Sequence, residues 1–68
     1  MQLTKREQEV VYLLARGLSL KEISQKLSIS MNTVKSHRTN IMRKTGTKNT
    51  VELIRYAAKA GLADYDLW

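Results

Sequence analysis

Lys35, Arg38, Arg43, Lys44 and Lys48 stand between residues 31 and 48, and no Asp or Glu interrupts them. Lys and Arg so placed neutralise phosphates and release condensed counterions. Asn32, Ser36 and Thr39 are interleaved with them, and with Lys35 they carry donors and acceptors able to read base edges in a major groove. Catalytic chemistry finds no such cluster. The chain has no Cys and one His, and its six acids (Glu7, Glu9, Glu22, Glu52, Asp64 and Asp66) are scattered. Thiolate and multi-His metal sites are excluded, no cofactor is expected, and an enzyme has no supporting constellation.

Composition points the same way. Twelve Lys and Arg against six Asp and Glu give a net charge of +6 on 68 residues. On so small a domain this favours a polyanionic partner, nucleic acid ahead of an anionic membrane surface. No apolar run approaches 18 residues and the N-terminus has no signal-peptide core, so the expected compartment is the cytoplasm. Without disulfides or metal, a thin core must be held by helix packing, oligomerisation or both.

The elements that position these residues can be read from their caps. Thr4 with Glu7, and Ser19 with Glu22, each have the spacing of a capping box. The first opens a helix with Val10, Val11, Leu13 and Leu14 on its apolar face, closing near Arg16-Gly17. The second opens a short helix carrying Ile23 and Leu27. Ser28-Ile29-Ser30 breaks the chain, and Ser30 caps a third helix to about Lys44. After a turn around Gly46, a fourth helix starts at Asn49-Thr50-Val51-Glu52 and ends by Gly61. The expected fold is all-α, a compact four-helix (tetrahelical) domain over residues 1–62 with a short tail over 63–68.

A short helix, a three-residue turn and a longer helix describe a helix-turn-helix. At about 100° per residue, the third helix sets Val34, Ile41 and Thr45 on one side, with Met31 and Met42 flanking as core fillers. Asn32, Ser36, Thr39 and Arg43 lie opposite, with Lys35 at the edge. Arg43 and Lys44 read as phosphate anchors, and the helix N-terminus at Ser30 offers free N–H groups to phosphate. On the fourth helix the apolar residues span about 180°, wider than one packed face requires. Leu53 and Ala57 can meet the core while Val51, Arg55, Ala58 and Leu62 meet a second copy.

Leu3-Thr4-Lys5-Arg6-Glu7, Leu13-Leu14-Ala15-Arg16-Gly17, Lys21-Glu22-Ile23, Leu27-Ser28-Ile29-Ser30, Thr33-Val34-Lys35-Ser36-His37 and Asn40-Ile41-Met42-Arg43-Lys44 resemble, in that order, the LuxR/NarL/FixJ-type DNA-binding domain. The resemblance covers roughly residues 2–62. It implies a domain that binds double-stranded promoter DNA and regulates transcription, with the third helix in the major groove and the fourth in a two-fold homodimer. RNA polymerase is a further partner expected at a promoter. Lys35 and Ser36 would face bases, Thr33 and His37 would support phosphate contacts, and Lys21 would touch the backbone. The Asn40-to-Lys44 wording is most similar to output domains of two-component response regulators, most of which follow an upstream receiver or ligand-sensing domain.

The chain departs from the family's pattern at several positions. Thr45 stands where Leu is usual, so its hydroxyl needs a partner such as the Ile41 carbonyl. Thr47 replaces an aliphatic residue, and Thr50 an Arg or Ser. Arg38, often apolar in relatives, lies toward the packing side and is expected to snorkel outward to a phosphate. The rival reading is a helical protein-interaction module whose basic face meets an acidic protein surface.

Overall fold

Thr4 caps the first helix. Its side chain accepts the Glu7 N–H at 3.1 Å, and Glu7 Oε1 accepts the Thr4 N–H at 2.8 Å. In the computed structural model, which describes residues 3–61, this reciprocal cap opens α1 (Lys5–Ala15). Ser19 and Glu22 repeat the device at 3.1 and 2.8 Å to open α2 (Leu20–Leu27). Ser30 accepts the Thr33 N–H at the start of α3 (Met31–Thr45), and Asn49 accepts the Glu52 N–H at the start of α4 (Thr50–Lys59). The expected capping residues and the expected order of helices are all present.

The helices stop by backbone chemistry. Leu18 N–H reaches back to Leu13 O, and Gly17 N–H to Leu14 O, with Gly17 at φ 89°. This pairing satisfies the last carbonyls of α1 and requires a left-handed residue. Ser28 does the same after α2 at φ 58°, with Ile29 N–H on Ser24 O. A serine there carries a Cβ that the left-handed region disfavours. In exchange the chain reverses within Ser28-Ile29-Ser30, which fixes how α3 leaves α2.

Leu13, Ile23, Ile41, Leu53, Val10, Val11 and Val34 are completely or almost completely buried, so every helix sends residues to one core. Both α1 and α3 pack on all three other helices, while α2 packs chiefly on α3. Large-to-small changes at these positions cost about 2–5 kcal/mol each, a large share of a small domain's stability. Met42 packs against the core as expected. Met31, expected as a core filler, is 42% exposed at the first position of α3. No helix among the described residues is long and apolar enough to cross a membrane. Leu62, expected at a dimer contact, and the 63–68 tail lie outside the described residues.

Candidate nucleic-acid interface

Val34 and Ile41 anchor α3 from one side and have no exposed surface. That fixes what the other side displays. Asn32, Lys35, Ser36 and Thr39 are exposed on a common face and, with half-buried Asn40, line a broad open concavity of about 500 Å³. All four residues expected to read bases are therefore brought together. Arg43 is exposed in the last turn of the same helix.

The start of α3 is held tightly. Ser30 Oγ lies 2.9 Å from Thr33 Oγ1 as well as accepting the Thr33 N–H. Both hydroxyls remain exposed beside the free N–H groups of the first turn. No acid sits in that turn and Arg43 and Lys44 occupy the last one, so the dipole suits an anion at the N-terminus and the cations at the C-terminus. Lys21 is exposed in the first turn of α2, and His37 is half-buried on α3.

Two cations are turned inward. Lys44 Nζ lies 2.7 Å from Glu7 Oε1, with side-chain exposures of 18% and 6%. The phosphate role expected of Lys44 is set aside, because its ammonium is committed to a buried carboxylate. Burial pushes the Glu7 carboxyl up, but the hydrogen bond from Lys44, the Thr4 amide and the Lys44 charge outweigh it and hold the group below its ordinary value. Arg38 is half-buried and reaches α4 rather than solvent. Its Nη1 donates to Thr50 Oγ1 at 3.5 Å, and its buried Nε has no partner.

Thr45 Oγ1 donates to Ile41 O at 2.9 Å, as its place on the packing side requires. One hydroxyl has one proton, so in the 2.9 Å contact between Thr45 and Thr47 the Thr47 hydroxyl donates. The two threonines thus satisfy each other where an aliphatic pair would pack. On α4, Leu53 and Ala57 are buried, whereas Val51, Arg55 and Ala58 are exposed, as the helical wheel expects. Tyr56, which the wheel left out, is 38% exposed on the same helix. No group of metal ligands occurs among the described residues.

Residues 1–57 match the family described as bacterial regulatory proteins, luxR family. Over 63 residues the chain is 46% identical to the oxygen regulatory protein NreC of Staphylococcus aureus strain JH9, and equally to that of strain USA300. The match covers 93% of this chain and 29% of each relative, so the chain spans under a third of their length. With four helices, two capping boxes and a three-residue turn before α3 in place, the chain belongs to the luxR family as a LuxR-type helix-turn-helix DNA-binding domain.

Proposed function

We propose that this domain places α3 in the major groove of a promoter operator and binds as a two-fold dimer through α4. The observation that carries the reading is the exposed, acid-free polar face of α3, with Lys35 and Arg43 on it. Asn32, Lys35, Ser36 and Thr39 read base edges. Lys21, Ser30, Thr33, His37 and Arg43 position the domain on phosphates, the commonest kind of protein–DNA contact. Val51, Arg55 and Ala58 meet the same face of a second copy. Two recognition helices then lie about 34 Å apart, which calls for an inverted repeat. The domain serves as the output element of a two-component response regulator, beside RNA polymerase at the promoter.

Selection of bound sites from a random duplex library at near-physiological salt tests this. A two-part inverted repeat is the expected product. A single half-site would overturn the self-sufficient dimer. Salt-sensitive binding with no enriched sequence would overturn base reading and favour an acidic protein surface as the partner.

A further inference from the structure

Met31 is the first residue of α3 and 42% exposed, whereas the other large exposed hydrophobic residues among those described, Val51 and Tyr56, lie on α4. It immediately follows the cap at Ser30 and stands one turn before Lys35. Residues four apart on a helix are surface neighbours, and roughly 40° of helix rotation separates these two. A helical Cβ leans toward the N-terminus, so Met31 stands at the N-terminal edge of the face bearing Asn32 and Lys35. No carboxylate occurs from residue 31 to 48. An apolar side chain in a cationic, acid-free surround fits a partner that is anionic overall and carries local apolar groups. Duplex DNA has that chemistry: phosphates outside, and the thymine 5-methyl as the apolar group on the major-groove edge.

We infer that Met31 reads sequence by packing its side chain against a thymine methyl at the edge of each half-site. The inference rests on the major-groove reading of α3 and adds an apolar determinant to its polar ones. An unbranched thioether with three rotatable bonds adapts to a methyl group without demanding one rotamer. The apolar surface of Met31 stays wet in the free protein, so the stabilisation arises only in the complex.

The test uses the operator recovered by site selection, with each thymine replaced in turn by uracil, which lacks only the methyl group. At one thymine per half-site the exchange should weaken the unmodified protein about fourfold, the worth of one methyl group removed from water. Met31→Ala should bind both duplexes equally, and Met31→Leu should keep most of the difference. Helix content by circular dichroism should be unchanged in both variants. Equal weakening of Met31→Ala on every sequence, or uracil sensitivity unaltered by Met31→Ala, would overturn the inference and leave the DNA-binding reading standing. Failure to enrich any site would overturn both.

Discussion

Lys44 Nζ and Glu7 Oε1 meet at 2.7 Å across 37 positions of sequence, joining the last turn of α3 to the first turn of α1. The same Glu7 oxygen also closes the α1 capping box on the Thr4 N–H. One carboxylate therefore caps the start of α1 and ties the last turn of α3 to it. Lys44 lies in the acid-free cationic stretch of α3, yet it acts on the fold.

Removing one member of this pair should be costly. Lys44→Ala leaves a buried carboxylate without its cation and should lose about 3 kcal/mol of stability. A chain of this length holds only about 3–10 kcal/mol in all. Glu7→Gln with Lys44→Met should recover much of that loss, since paired replacement by uncharged groups is far milder. Urea unfolding of the two singles and the double gives the coupling, and additive losses would contradict a direct pair.

The pair also sets an acid dependence. The folded-state pKa of Glu7 lies below its ordinary value, so its contribution is fully present above the unfolded value, about 4.3. It is lost as pH falls through the lower folded value. Glu22 is depressed in the same sense by the Ser19 amide and hydroxyl. Unfolding midpoints between pH 7 and 3 should therefore fall on the acid side. Glu7→Gln should flatten the fall without abolishing it, because Glu22 remains.

On DNA the two kinds of cation should separate. Lys35→Ala should narrow the affinity ratio between operator and unrelated duplex by about 1–3 kcal/mol, the worth of one good base contact. Arg43→Ala should weaken both duplexes alike and lower the salt slope by about 1. Binding isotherms at several salt concentrations distinguish the outcomes, and a uniform loss for Lys35→Ala would remove its base-reading role.

Much of this arrangement was legible in the sequence because it is local. Thr4 with Glu7, Ser19 with Glu22, and Ser28-Ile29-Ser30 act within a few residues, and helical periodicity set Val34 and Ile41 inward against Asn32, Ser36 and Thr39. What was hidden is non-local or lies at element ends. Nothing in the spacing says that Lys44 reaches Glu7 rather than a phosphate, or that Arg38 meets Thr50. Periodicity assigned Met31 to the core flank because it reports direction around a helix. It does not report how much of a residue at a helix end is covered.

The threonine pair after α3 should be nearly neutral when replaced as a pair. Ile41 O still accepts its helical N–H and Met42 O still accepts Thr47 N–H at 3.1 Å, so no carbonyl is orphaned. Thr45→Val alone strands the half-buried Thr47 hydroxyl and should cost about 1 kcal/mol. Adding Thr47→Val removes the stranded group and should return stability to the starting value or above it. Thermal midpoints decide, and a larger loss for Thr47→Val than for Thr45→Val would refute the donor order assigned to the pair.

The outer face of α4 should separate half-site binding from operator binding. Val51 is 61% exposed, and Arg55 and Ala58 beside it are also exposed. A charge introduced there leaves the core, carried by Leu53 and Ala57, untouched. In a two-fold contact every substitution enters the interface twice, so Ala58→Glu adds two like charges to one apolar contact. Its affinity for a single half-site should stay within about twofold of the unmodified chain, a change of under about 0.5 kcal/mol, as for other surface substitutions. Its affinity for the inverted repeat should drop toward the half-site value, and sedimentation should find one domain per duplex instead of two. Two Ala58→Glu domains still binding the repeat cooperatively would place the dimer contact elsewhere on the molecule.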